Sequence, residues 1–398
     1  MLTSLALIFL MGMGLGAVFT RLKLPGLLGM LITGIILGPY ALNMIDGSIL
    51  GISADLRRLA LVIILTRAGL SLDINELKKV GRPAILMCFV PACFEIIAMI
   101  LIAPKILGIT TLEAAIMGSV VAAVSPAVIV PRMIKLMETG YGTNKSIPQL
   151  IMAGASVDDV FVIVLFTSFT SLANGGNASL MQVAEIPVSI ISGIVVGALL
   201  GWLISKFFRM VHIRDSAKVI ILLSISFLLV AAEKWFEHIV PFSGLLAVMA
   251  VGIGIFRFYP KLAGRLSAKF SKLWVAAEIL LFVLVGATVD ITFALSAGGK
   301  AVLLLFAVLF FRMLGVFVCL LRTELSSKER LFCVAAYMPK ATVQAAIGGI
   351  PLAMGLPCGN IVLTVAVLAI IITAPLGALA IDMSYKKLLV HKEITKSM

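Results

Sequence analysis

Long apolar runs, separated by short polar stretches, recur along this chain from its first residues almost to its end. A helix needs about 20 apolar residues, at about 1.5 Å each, to cross the hydrocarbon core of a bilayer. On that scale the pattern predicts thirteen spanning segments: 2–20, 25–38, 56–72, 82–102, 112–133, 151–170, 183–207, 217–235, 242–256, 273–289, 301–321, 331–354 and 361–383. Two of them are interrupted. The fifth holds Val124-Ser125-Pro126 and then Pro131; the twelfth holds Met338-Pro339-Lys340, followed by Gly348-Gly349 and Pro351. Proline removes a backbone donor and clashes with the preceding turn, so both segments read as broken helices. Unwound backbone at membrane depth is tolerated where it is buried in protein or lines a cavity. Segments five and twelve are seven apart, an odd offset that reverses direction across the membrane. Segments 1–6 and 8–13 therefore read as an inverted repeat joined by segment 7, and paired interrupted segments point to a transport site.

Polar residues inside the apolar runs carry the chemistry. Asp158 and Asp159 are adjacent in the sixth segment, roughly 10–12 Å from its start by helical rise. A buried acid at that depth costs on the order of 2.5–3.5 kcal/mol, so the pair reads as a site for ions and protons. Neighbours on a helix are about 100° apart, so one carboxylate faces a cavity while the other meets a partner. Two like charges in a low dielectric cannot both stay ionised cheaply, and protons then compete with a hard monovalent cation. Carboxylate, hydroxyl and carbonyl oxygens suit such an ion. Ser125, Ser156 and the carbonyls freed near Pro126 are the supporting ligands expected. Arg312 and Lys340 are two intramembrane cations able to balance the pair, and Glu95 in the fourth segment is a third acid at depth. Segments 4 and 11 are again seven apart, so Glu95 and Arg312 are expected to form a buried bridge beside the site. Arg67 reads as snorkelling from a helix end; Glu278 and Asp290 read as interfacial or packing charges.

Composition agrees with a polytopic all-α membrane protein: 61% of the 398 residues are hydrophobic and 13% charged, with mean hydropathy +1.17. The net charge of +13 does not point to nucleic acid, because the cations form short clusters between apolar runs. Counting also the cations within two residues of a segment's end, 24 Lys and Arg follow odd-numbered segments or lie in the tail, and 5 follow even-numbered ones. That alternation places the N-terminus outside and the C-terminus in the cytoplasm. The five cysteines lie in apolar surroundings without metal-ligand spacing and read as packing residues. His212, His238 and His391 do not cluster.

Several pieces resemble the monovalent cation:proton antiporter superfamily: LPGLLGMLITGIILGP, TRAGLSLD, the Ser-Pro break, GASVDDV, LVGATVD and YMPKATVQAAIG. The Asp pair with PKATVQAAIG is most similar to the double-Asp NHA subgroup of sodium/proton antiporters and its bacterial relatives. The resemblance implies a dimer domain (1–75 and 211–296), a linker helix (174–210), a core transport domain (76–173 and 297–384) in which the two broken helices cross, and a cytoplasmic tail (385–398). It implies a homodimer in a bacterial inner membrane and an elevator-like motion of the core. It also implies Asp159 as the alternating carrier of cation and proton, with Asp158 as accessory acid. Electrogenic members carry a lysine in the eleventh segment, where this chain has Arg312. Arginine does not readily release a proton, so the expected activity is electroneutral exchange of Na⁺ or Li⁺ for H⁺, with no cofactor. K⁺/H⁺ exchange and sodium-coupled solute symport are the alternatives. An intramembrane aspartyl protease is disfavoured: it needs two facing carboxylates that share a proton, and helix neighbours do not face each other.

Overall fold

The computed structural model describes residues 1–72, 81–174, 180–211, 213–236 and 242–391. Among these residues the chain is helical, with one isolated bridge between Tyr141 and His391. Its helices are α1 (Leu2–Arg21), α2 (Gly26–Leu37), α3 (Gly47–Gly51), α4 (Ser53–Ser71), α5 (Arg82–Met87), α6 (Val90–Leu107), α7 (Thr111–Val121), α8 (Pro126–Glu138), α9 (Ile147–Asn174), α10 (Leu180–Met210), α11 (Asp215–Phe236), α12 (Gly244–Phe258), α13 (Pro260–Ala287), α14 (Ile291–Cys319), α15 (Ser327–Ala336), α16 (Thr342–Ile347), α17 (Ile350–Ala353) and α18 (Gly359–Leu388).

Every predicted segment coincides with a helix or a broken run of helices. Nine stretches among the described residues have the length and apolar composition to cross a membrane, and three more apolar helices are shorter. The chain is thus an integral membrane protein of all-helical build. Three boundaries differ from the sequence reading, and in one of them the eleventh segment, expected at 301–321, begins at Ile291. The tenth segment, expected at 273–289, begins at Pro260. Lys261, Arg265, Lys269 and Lys272 fall between the expected segments 242–256 and 273–289. They recur every three or four residues beside buried Leu262, Ala263, Leu266 and Phe270, the pattern of an amphipathic helix rather than a loop. The fourth segment, expected to be continuous, breaks between Met87 and Val90. Pro91 supplies no N–H to Met87 O, four residues earlier. That carbonyl instead accepts the Tyr337 hydroxyl at 3.2 Å.

The chain divides into two compact units: Met1–Ala54, Asn75–Thr170 and Phe282–Met398 form one; Asp55–Ile74 and Ser171–Leu281 form the other. In the second unit α10 packs along α12 through glycines four residues apart. A Cβ on Gly193, Gly197 or Gly201 would lie 2.4–2.7 Å from the carbonyls of Ser243, Ala247 or Val251, so only glycine permits that approach. In the first unit α14 lies along α6, and α18 packs against α14 and α15.

The two predicted breaks are present. α7 opens with a reciprocal capping box of Thr110 and Glu113, and α15 opens with another of Ser326 and Glu329. Ser125, preceding Pro126, is extended at φ −92° and ψ 110°, as a residue before proline prefers. Residues 122–125 separate α7 from α8, and 337–341 separate α15 from α16. The two links meet where Ser125 N donates to Pro339 O at 2.7 Å.

Candidate functional site

The crossing lies in the first unit, and its backbone groups can be followed one by one. Pro126 has no N–H for Ala122 O, and that carbonyl accepts Arg312 Nη1. Ser125 N is spent on Pro339, so Val121 O is free for Lys340 Nζ at 2.7 Å and Gln344 Nε2 at 3.0 Å. Ala123 O accepts the same Gln344 amide at 2.9 Å. Val124 N donates to Asp158 Oδ2 at 2.9 Å. Lys340 N donates to Thr373 Oγ1 at 2.9 Å. Buried backbone polar groups have to be paired, and here the side chains of Asp158, Arg312, Lys340, Gln344 and Thr373 do the pairing.

Those side chains form one ionic network. Arg312 Nη2 lies 2.7 Å from Asp158 Oδ2, and Arg312 Nη1 lies 3.1 Å from Glu95 Oε2. Lys340 Nζ is 2.7 Å from the Glu95 carboxylate. Arg312 Nε donates to Tyr337 O at 3.1 Å, and the guanidinium sits over the Tyr337 ring at 5.4 Å. Glu95, Asp158, Arg312 and Lys340 are all at most 1% exposed. The expected Glu95–Arg312 bridge is present, but as one edge of a four-membered cluster. Two anions and two cations make it neutral.

Asp159 lies outside that network. It is half-buried, and its Oδ1 has no hydrogen-bond partner among the described residues. Asp158 Oδ1 and the hydroxyl of fully buried Ser125 are likewise unpartnered there. Ser156 is on α9 with the Asp pair, but its side chain lies outside the described residues. Of the freed carbonyls expected as extra ligands, Val121, Ala122 and Ala123 accept from Lys340, Gln344 and Arg312. Buried oxygens without donors are costly unless an ion, a proton or water completes them. A set of carboxylate and hydroxyl oxygens fits a small hard cation.

Tyr337 and Gln344 belong to the cluster and were not singled out from sequence. Gln344 had a signal: it is polar within the apolar run TVQAAIGGI, four residues after Lys340. Arg67 and Glu278 are both half-buried and belong to the second unit. Asp290 is also half-buried. His212 and His238 lie outside the described residues.

The model of a family described as sodium/hydrogen exchanger, transmembrane, matches residues 5–384. Mouse sodium/hydrogen exchanger 9B2 is 32% identical over 387 residues, covering 93% of this chain and 69% of its own. Human sodium/hydrogen exchanger 9B1 is 31% identical, covering 92% of this chain and 73% of its own. The structure of the sodium proton antiporter MjNhaP1 from Methanocaldococcus jannaschii at pH 8 superposes with a TM-score of 0.85, at 21% identity, over 97% of this chain and 98% of that one. The fold is that of this antiporter, and the chain belongs to the sodium/hydrogen exchanger family.

Proposed function

We infer that the protein is a secondary antiporter that exchanges Na⁺, or Li⁺, for H⁺ across the membrane by alternating access. Family membership and the names of its relatives support the exchange. The observation that carries the mechanism is the unpartnered Asp159 oxygen beside a neutral cluster of Glu95, Asp158, Arg312 and Lys340. Asp159 is the carrier: one cation or one proton neutralises it, so the two ligands exclude each other. Ser125 supplies a hydroxyl to the bound cation, and Ser156 is a further ligand on the same helix as Asp159. Asp158 stays engaged by Arg312 through the cycle. A carrier that returns with one proton for each cation moves no net charge, so exchange is electroneutral. The cation bias between loops supports an N-terminus outside and a C-terminus in the cytoplasm. The protein works as a homodimer, with the core formed by segments 4–6 and 11–13 as the moving part.

The test is proton flux in sealed proteoliposomes carrying a pH-sensitive dye, pulsed with Na⁺, Li⁺ or K⁺, with and without a potential clamp. Flux driven by Na⁺ or Li⁺ and insensitive to the clamp is expected, and Asp159→Asn abolishes it while the protein still unfolds cooperatively. Flux only with K⁺ replaces the cation. A response to the clamp overturns electroneutrality. Undiminished flux in Asp159→Asn overturns the carrier assignment.

A further inference from the structure

One neutral side chain occupies two of the backbone carbonyls exposed by the first helix break. Gln344 is fully buried on α16, and its Nε2 donates to both Val121 O and Ala123 O. The amide orientation follows from these contacts, since reversal would set Oε1 against two carbonyl oxygens. Gln344 Oε1 itself is buried and unpartnered among the described residues. A single peptide plane links this amide to the site. The carbonyl of Ala123 takes Gln344, and the amide of Val124, in the same peptide, donates to Asp158 Oδ2. Rigid peptide geometry means that the hold on one end fixes the other.

Carbonyl oxygens are themselves cation ligands. Selectivity among hard cations follows the number of oxygens and the size and flexibility of the shell, and shells rich in backbone carbonyl suit K⁺. Next to this site, Ala122 O is held by Arg312, Val121 O by Lys340 and Gln344, and Ala123 O by Gln344. Without Gln344, Val121 O keeps Lys340 and Ala123 O has no donor among these contacts. A third cation at position 344 would hold the carbonyls equally well, but it would leave the balanced cluster positive and compete with the transported ion. A glutamine supplies the donors without the charge.

We propose that Gln344 is a positioning residue that keeps the Ala123 carbonyl out of the cation shell, and that it thereby sets the preference for Na⁺ over K⁺. The proposal rests on the antiport reading above. Gln344→Leu removes both donors at similar volume; Gln344→Asn keeps the donors on a stem too short for both carbonyls. Each variant is compared with wild type by the KM for Na⁺ and for K⁺ in proteoliposomes. Thermal stabilisation of the detergent-solubilised protein by each ion provides a readout independent of transport. In Gln344→Leu the ratio of KM for K⁺ to KM for Na⁺ falls roughly tenfold, with the change in KM larger than the change in maximal rate; Gln344→Asn shifts it the same way by less. An unchanged ratio with only a reduced maximal rate overturns the proposal, because a merely structural residue would act in that way. If Gln344→Leu does not fold, an unchanged ratio in Gln344→Asn overturns it equally. Wild-type protein that does not discriminate between the ions also overturns it. Wild-type protein that Na⁺ stabilises but that moves no protons defeats the antiport reading alone, and the stabilisation ratio then decides for Gln344.

Discussion

A guanidinium presents five N–H donors in a fixed planar fork. At position 312 that fork meets Asp158, Glu95, Ala122 O and Tyr337 O. A lysine would reach one or two of these groups. Burying the charges carries a large desolvation cost, so truncating one member leaves the others uncompensated. Arg312→Ala should therefore destabilise the protein by about 3–5 kcal/mol, read from denaturant unfolding in detergent. A loss under about 1 kcal/mol would mean that the network behaves like a surface pair. The network also decides the outcome of a charge swap. If Glu95 and Arg312 were an isolated bridge, Glu95→Arg with Arg312→Glu would restore it. Here a glutamate at 312 would face Asp158, and an arginine at 95 would face Lys340. The double variant is expected to transport no better than either single variant; wild-type flux in it would show that the bridge acts alone. From sequence, the Asp pair and the three other charges were legible because ionisable residues are rare in apolar runs. Which cation serves which acid was not, because Asp158 and Arg312 are 154 residues apart.

The broken helices turn local sequence into a site. Pro126 and Pro339 announce their breaks, since each lacks an N–H. The break before Val90 was missed because a proline in a helix's first turn is equally at home after a cap and beyond a kink. What settled it was Tyr337, 250 residues away, taking Met87 O. Packing around the second link is tight: a Cβ on Gly377 of α18 would lie 2.3 Å from Pro339 Cγ, whereas one on Gly14 of α1 meets nothing within 4 Å. Gly377→Ala should cut proton flux at least severalfold through displacement of the link, and Gly14→Ala should not. Equal flux in both would show that the link accommodates the shift. The capping turn ahead of α15 gives a pH prediction. Glu329 is 1% exposed; burial disfavours its charge, but hydrogen bonds from Lys145 and Ser326 outweigh that and hold its pKa below the usual 4.5. A carboxylate lowered in the folded state stabilises above its unfolded pKa, and the contribution is lost as pH falls through the folded value. Glu329→Gln should thus lower Tm at neutral pH, with the gap from wild type closing below about pH 4. A gap independent of pH would count against the ionised form.

Across the whole molecule, the exchange reading makes the cluster a neutral frame and Asp159 the mobile charge. If so, Asp158→Asn should impair stability more than it alters the cation-to-proton ratio, whereas Asp159→Asn should stop exchange with little loss of stability; unfolding and flux measured on the same preparations separate the two. Amino-acid sequence alone determined that the chain lives in a bilayer, since hydropathy and charge alternation are properties of the linear order. It determined where the helices run, apart from the charged first turns of α13, the first turns of α14 and the break in the fourth segment. It also determined which residues are too polar for their surroundings. Tertiary structure decided how those residues are shared out: Asp158 to Arg312, Glu95 to both cations, and Gln344 to two carbonyls, with Asp159 outside the network. The physical reason is that insertion cost is paid locally, residue by residue, and so is written in the sequence. Pairing instead depends on which distant backbone gaps and charges meet once the two broken helices cross.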